Sequence, residues 1–123
     1  MVVAKGDRYR VLAENLPWLR LGDVANKHRS MGVDIDNGRP LDLRMHLGAF
    51  ISQSMNRWTD QETEDSVRLN AGVRLLCALE GSDGTTDRTS IQEFRRQMGK
   101  EGVEELNAIV VVAAKEAGFT DGA

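Results

Sequence analysis

Apolar residues in the second third of the chain recur at the spacing of an α-helix. Leu43, Leu47, Phe50, Ile51 and Trp58 follow the pattern i, i+4, i+7, i+8 and i+15, which places them on one face at 3.6 residues per turn. A helix of this kind is stable in water only when its apolar face is buried. The rest of the chain must therefore supply elements that cover this segment.

The last third of the chain is also helical in pattern. One apolar stripe runs through Val103, Leu106, Val110, Ala113 and Ala117. The run IVVV at 109–112 has the β-branched composition of a strand, but no alternating segment elsewhere could pair with it, and a lone strand leaves its backbone groups unsatisfied. We therefore predict an all-α fold, a compact domain of about five to seven helices.

Local signals predict where the helices begin and end. Residues 8–15 and 18–29 are weakly patterned helix candidates, and the turn-forming segment MGVDIDNGRP at 31–40 follows them. Thr59 with Glu62, and Thr89 with Gln92, have the spacing of capping boxes. Gly99 is expected to end one helix and Gly118 to cap the last. These signals divide the chain into an N-terminal helical or irregular segment, 1–37, and a helical domain, 38–121.

Charge and cysteine content limit the partners. The chain has 123 residues, enough for one domain, with 16 Lys and Arg against 19 Asp and Glu. Residues 1–58 hold nine basic and six acidic side chains, and residues 59–123 hold seven and thirteen, so any contact with nucleic acid must be local. A lone Cys77, with no signal peptide and no apolar run of membrane-spanning length, predicts a cytoplasmic protein.

The segment TDRTSIQEFRRQMGK at 86–100 is the most informative for function. Ile91, Phe94 and Met98 form its apolar back, and the opposite arc is polar and basic. A short helix predicted at 73–79 precedes it, which gives the plan of a helix-turn-helix unit whose second helix enters the major groove. The alternative is that the basic arc is simply the solvated face of an amphipathic helix.

In the helix-turn-helix interpretation, Arg88, Thr89, Ser90 and Gln92 lie at the N-terminal end of the recognition helix and face base edges. Arg95 and Arg96 then contact phosphates or guanine. Arg39 and Arg44 are further candidates for phosphate contacts beside this helix, against ordinary loop and helix surface as the alternative.

Other candidate sites are weaker. Asp34, Asp36 and Asn37 lack the order of a calcium-binding loop and read as a solvated turn. The acidic group Asp60, Glu62, Glu64 and Asp65 reads as a solvated face at a helix N-terminus. His28 and His46 read as surface or hydrogen-bonded residues, Cys77 as a core residue, and Trp18 and Trp58 as core anchors or interface residues.

Four segments in order resemble the N-terminal domain of bacterial insertion-sequence transposases of the DDE, RNase H-like type. They are GRP at 38–40, RWTDQETED at 57–65, NAGVRLLCALEG at 70–81 and TDRTSIQEFRRQMG at 86–99. In that family a Gly-Arg-Pro loop precedes an apolar helix, and an Asp-His-Ser-Thr-Leu-like cap opens a helix containing Arg-Phe-Arg-Arg. This chain has Arg88 in place of the cap histidine and Glu93 in place of the arginine before phenylalanine.

The resemblance implies a DNA-binding module that recognises terminal inverted repeats and lacks the catalytic domain with its acidic triad, so we expect no enzymatic activity of its own. The expected partners are double-stranded DNA and a second copy of the chain, with no cofactor, metal, small-molecule ligand or membrane. The alternative function is a free-standing helical module for protein–protein interaction or dimerisation, a transposase remnant.

Overall fold

Six α-helices account for most of residues 7–31 and 42–119, the part of the chain that this computed structural model describes. They are α1 (Arg8–Asn15), α2 (Trp18–Met31), α3 (Leu43–Asn56), α4 (Asp60–Leu69), α5 (Ala71–Leu76) and α6 (Arg88–Glu116). There is no strand in these residues, so the all-α prediction is confirmed. The predicted boundaries at residues 37 and 121, between and after the two segments, lie outside the described residues. Arg39 and the predicted turn that contains Asp34, Asp36 and Asn37 also lie outside them.

Gly99 divides α6 into two arms. Its backbone angles, φ 66° and ψ −178°, are non-helical, and positive φ favours glycine. We call residues 88–98 the N-terminal arm and residues 100–116 the C-terminal arm. The predicted helix end at Gly99 is therefore correct as a break, and Gly118, with φ 103°, follows the last turn as predicted.

The capping box predicted at the start of α4 is present. The Glu62 amide donates to Thr59 Oγ1 at 3.1 Å, and the Thr59 amide donates to Glu62 Oε1 at 2.8 Å. Asn70 ends α4 and caps α5, accepting from the Val73 amide at 3.0 Å. With a single residue between the two helices, their relative direction is fixed by local bonding.

The second predicted capping box is wrong. The N-cap of α6 is Asp87, whose carboxylate accepts from the Ser90 amide at 2.8 Å. Thr89 therefore lies inside the first turn and not before it. Asp and Thr are both good N-caps. Asp87 comes two residues before Thr89, and because its carboxylate binds the Ser90 amide, the helix begins there.

The central helix is α3, and it is enclosed on all sides. Every residue from Met45 to Gln53 is buried, which exceeds the single buried face predicted from the apolar spacing. Helices α2, α4, α5 and α6 all pack against it, and its position determines theirs.

Two close contacts hold this arrangement. A Cβ on Gly48 of α3 would lie 2.5 Å from the Leu76 carbonyl oxygen and 2.6 Å from the Cys77 Cα, so the end of α5 rests directly on the α3 backbone. The second contact joins α2 to the C-terminal arm: His28 Nε2 lies 2.9 Å from Glu105 Oε1, and the ammonium of Lys27 lies 2.9 Å from the same oxygen.

Helix α5 does not form the predicted helix-turn-helix pair with α6. It ends at Leu76, earlier than the predicted residue 79, because Ala78 turns the chain with φ 58°. No Cα of α5 comes within 8 Å of α6, whereas α4 packs against α6. The physical reason is the contact at Gly48, which holds α5 against α3 while an eleven-residue connection, 77–87, carries the chain away.

Arg74 supports that connection from within. Its guanidinium donates to the carbonyl oxygens of Val67 at 3.1 Å, Leu79 at 3.2 Å and Gly84 at 3.0 Å.

None of the helices in the described part of the chain is long and apolar enough to cross a lipid bilayer.

We predict opposite effects for alanine at two helical glycines. Gly48→Ala places a methyl group against the backbone of α5 and should lower the free energy of unfolding by about 1–3 kcal/mol. Gly22→Ala in α2 meets only a Leu43 methyl at 3.7 Å and should raise it by roughly 0.5–1 kcal/mol through helix propensity. Urea denaturation followed by circular dichroism measures both changes, and equal effects would contradict the close approach at Gly48.

Candidate nucleic-acid interface

The N-terminal arm of α6 has the buried back and polar front predicted from the sequence. Ile91, Phe94 and Met98 are buried. The exposed side chains on the opposite side are Arg88, Thr89, Gln92 and Arg96, and Lys100 continues this set beyond the break. We call these five residues the outward face. Ser90 is half-buried, and its amide is bound by Asp87.

His46 of α3 fixes the start of this arm. Its Nδ1 lies 2.9 Å from the Asp42 carbonyl oxygen, so Nδ1 donates, and Thr86 Oγ1 donates to Nε2 at 2.9 Å. The ring also stacks at 6.0 Å on Phe94 of α6. Both bonds suit a neutral imidazole, and burial lowers the pKa of His46.

Arg95 is directed towards α3 and α4. Its guanidinium donates to Asp60 Oδ1 at 2.5 Å, to Asp60 Oδ2 at 3.3 Å and to Gln53 Oε1 at 2.9 Å. The hydrogen bond from Arg95, with those from Gln53 and Gln92, lowers the pKa of Asp60 to about 2. Arg95 therefore acts first as the link between α6 and the N-terminus of α4.

Arg88 and Arg96 are exposed and have exposed or half-buried partners. The Arg88 amide donates to Glu64 Oε1 at 2.7 Å, and its guanidinium donates to Gln61 Oε1 at 3.2 Å. Arg96 is paired with Glu93 one turn earlier, with its Nε 3.0 Å from Glu93 Oε1. Exposed pairs of this type are weak, so both guanidinium groups can exchange partners at little cost.

Arg44 is half-buried and does not face solvent as Arg88 and Arg96 do. Its guanidinium stacks on the Trp18 ring, 3.3 Å from the ring centroid, and donates to the Leu76 carbonyl oxygen. Burial lowers its pKa from the usual arginine value. The structure thus separates Arg44 and Arg95, which hold helices together, from Arg88 and Arg96, which face solvent.

An open groove of about 640 Å³ lies beside the break at Gly99. Gln92, Arg95, Arg96, Lys100 and Glu104 are among its lining residues. Lys100 was not among the candidate residues predicted from sequence, although a lysine directly after a helix-ending glycine is a signal of exposure. No sequence pattern indicates that Asp60 and Gln53 bind Arg95, because both are distant from Arg95 in sequence.

The acidic residues of α4 do not form a metal site. Asp60 binds Arg95, whereas Glu64 and Asp65 accept from Gln61 at 3.3 Å and 3.1 Å. Within residues 7–31 and 42–119, no three His, Cys, Asp or Glu side chains are grouped so as to hold a metal ion. Asp60 is thus an ion-pair residue, where the sequence predicted a solvated one.

We predict that His46 makes stability depend on pH near neutrality. Because burial lowers its pKa in the folded state, the unfolded chain takes up the proton first as pH falls below about 6.5, and folding stability is lost in that range. Urea midpoints measured between about pH 7.5 and pH 5.5 should fall for the native chain and fall less for His46→Gln. Parallel curves for the two proteins would contradict this role.

We predict that the Asp60–Arg95 pair stabilises the fold, whereas the Glu93–Arg96 pair does not. Asp60→Asn should lower the free energy of unfolding by about 1–2 kcal/mol, an amount reduced by solvent screening because Arg95 is 39% exposed. Glu93→Gln, the matched control in an exposed pair, should cause a much smaller loss. Thermal denaturation at pH 7 compares them, and equal losses would contradict the difference.

One family model matches the chain, and its description is "Transposase domain (DUF772)". The match covers residues 1–97 of the 123, which includes α1 to α5 and most of the N-terminal arm of α6. Searches of curated proteins and of solved structures gave no significant match. The family match confirms the resemblance to insertion-sequence transposases drawn from the four sequence segments. The chain belongs to the DUF772 transposase domain family.

Proposed function

We propose that this chain is a DNA-recognition module of a transposase and that it contacts double-stranded DNA through the outward face of α6. The observation that carries the proposal is the arrangement of that face. Arg88, Thr89, Gln92, Arg96 and Lys100 are exposed along one side of a helix whose opposite side is buried. A helix anchored in this way presents its polar side chains from a rigid support, as DNA-reading helices do.

The side chains divide into two roles. Arg96 and Lys100 line the groove at Gly99, and we assign them to phosphates, which attract cations irrespective of sequence. Thr89 and Gln92 are uncharged and exposed near the N-terminal end of the helix, and we assign them to base edges, since an amide can pair bidentately with adenine. Gln92 must release its hydrogen bond to Asp60 to do so. The proposed target is a terminal inverted repeat.

Arg95 has a different part in this mechanism. With its guanidinium held by Asp60 and Gln53, it sets the angle of the N-terminal arm against α4. The Glu93–Arg96 pair must open for Arg96 to reach a phosphate. Because that pair is exposed, the exchange costs little.

Few cations face the proposed DNA, and acidic residues lie close to them. We therefore expect binding that is weak at physiological salt and strengthens steeply as salt is lowered. Catalysis in this proposal belongs to a separate, acidic-triad domain of a transposase and not to these helices.

The test is fluorescence anisotropy of a labelled duplex of roughly 25 base pairs, titrated with the chain at several salt concentrations. Arg96→Ala and Lys100→Ala should each reduce the slope of log affinity against log salt by about 0.9, the value for one lost phosphate contact. Arg20→Ala removes the same charge from an exposed position on α2 and should leave the slope unchanged.

Sequence preference needs a second measurement. Selection from a random duplex library should enrich a defined sequence with the native chain, and Gln92→Ala should relax that preference while keeping the salt slope. Absence of binding at low salt, or equal losses for Arg96→Ala and Arg20→Ala, would overturn the proposal.

A further inference from the structure

Two exposed arginines meet at the C-terminal end of α3. Arg57 directly follows Asn56, the last residue of that helix. Arg8, the first residue of α1, donates to Asn56 Oδ1 at 2.9 Å, and its guanidinium lies 5.1 Å from the centroid of the Tyr9 ring. The fold therefore brings Arg8 beside the residue that precedes Arg57. We call Arg8 and Arg57 the basic corner.

The positive charge of the basic corner is not neutralised by the protein. Among the residues that the structure describes, no carboxylate forms an ion pair with either arginine. The carboxylates nearest in sequence have other partners. Asp7 accepts from an amide of α1 at 2.8 Å, and Asp60 binds Arg95. Glu62 accepts from the amide that caps its own helix. A surface with two unpaired cations attracts an anionic partner.

The local backbone gives little reason for arginine at these two positions. Arg57 has φ 55° and ψ 44°, a left-handed conformation that glycine adopts without strain and other residues adopt at a cost. Its charge gains from the negative end of the α3 dipole, and the strained conformation offsets this gain. Arg8 lies in the first turn of α1, where the positive end of the helix dipole repels a cation.

Gln53 joins the turn at Arg57 to the N-terminal arm of α6. Its carbonyl oxygen accepts from the amides of Arg57 and Trp58. Its carboxamide nitrogen donates to the Trp58 carbonyl oxygen at 3.2 Å, and its carboxamide oxygen accepts from Arg95 at 2.9 Å. One side chain thus bridges the turn and the arm. The turn that contains Arg57 is therefore fixed at the side of the arm, at the level of Arg95.

The dimensions of DNA place phosphates at the side of such an arm. A helix with its side chains is about 10–12 Å across, and the major groove is about 12 Å wide. A helix in the groove therefore lies between the two phosphate backbones, and an element fixed at its side meets one of them. We propose that the basic corner binds the phosphate backbone of the duplex whose groove receives the outward face, an inference that rests on the proposed function.

Anisotropy titrations of the full chain with the same labelled duplex test this second contact. Arg57→Gly and Arg8→Ala should each reduce the slope of log affinity against log salt by about 0.9, the value for one lost phosphate contact. Arg57→Lys keeps the charge and should keep the slope. Arg20→Ala, the matched control at an exposed arginine of α2, should leave the slope unchanged.

Urea denaturation followed by circular dichroism separates binding from folding. Because glycine adopts the left-handed conformation without strain, Arg57→Gly should leave the urea midpoint unchanged or raise it while DNA affinity falls. A role in folding alone would instead lower the midpoint and the affinity together, and that result would overturn the proposal.

The corner and the outward face are distinguished by comparing their variants. The double variant Arg57→Gly with Arg96→Ala should reduce the slope by about 1.8, since two separate phosphate contacts are lost. If Arg96→Ala and Lys100→Ala reduce the slope but the corner variants do not, the basic corner proposal is overturned and the proposed function stands. If the native chain fails to bind at low salt, both are overturned.

Discussion

The enclosure of α3 is the constraint on which the rest of the fold depends. A helix buried from Met45 to Gln53 must be covered by neighbours on every side, and its polar side chains His46 and Gln53 are hydrogen-bonded within the protein. At Gly48 it has no side chain at all, which lets the end of α5 touch its backbone. Burial, hydrogen bonding and close backbone approach all act on one segment of nine residues.

The polar side chains of α3 also position the helix that we propose as the DNA-contacting element. His46 accepts a hydrogen bond from Thr86, just before the first turn of α6. Gln53 binds both Asp60 and Arg95, which join α4 to the middle of the same arm. A buried helix thus orients the exposed one through two polar contacts, and solvent-facing substitutions on α6 need not disturb either.

Sequence patterns predicted well those features that are encoded locally. The box at Thr59 and Glu62, the break at Gly99 and the turn at Gly118 each depend on a few neighbouring residues. The cap of α6 was assigned to Thr89 because its spacing to Gln92 is correct, yet Asp87 reaches the open Ser90 amide. Two good capping residues lay within one turn, and sequence spacing does not rank them.

Features that depend on distant residues were not predictable in the same way. In the sequence, Arg44 and Arg95 are as plausible DNA-contacting residues as Arg88 and Arg96. In the fold, Arg44 is held by Trp18 and Leu76, and Arg95 by Asp60, all of them distant in sequence. The separation of α5 from α6 likewise follows from Gly48, whose contact partner lies in another helix. An arginine on a helical face becomes a binding residue or a structural one according to what the fold places beside it.

The break at Gly99 has a consequence for the overall charge of the chain. Since it interrupts one long helix, a second helical macrodipole begins at Lys100, and Glu101, Glu104 and Glu105 lie in its first turns, where negative charge is stabilising. Asp60 and Glu62 occupy the equivalent positions in α4, and Asp87 precedes α6. Much of the chain's net charge of −3 therefore compensates the N-termini of helices, so its overall acidity is a poor measure of the field that a partner meets at the outward face.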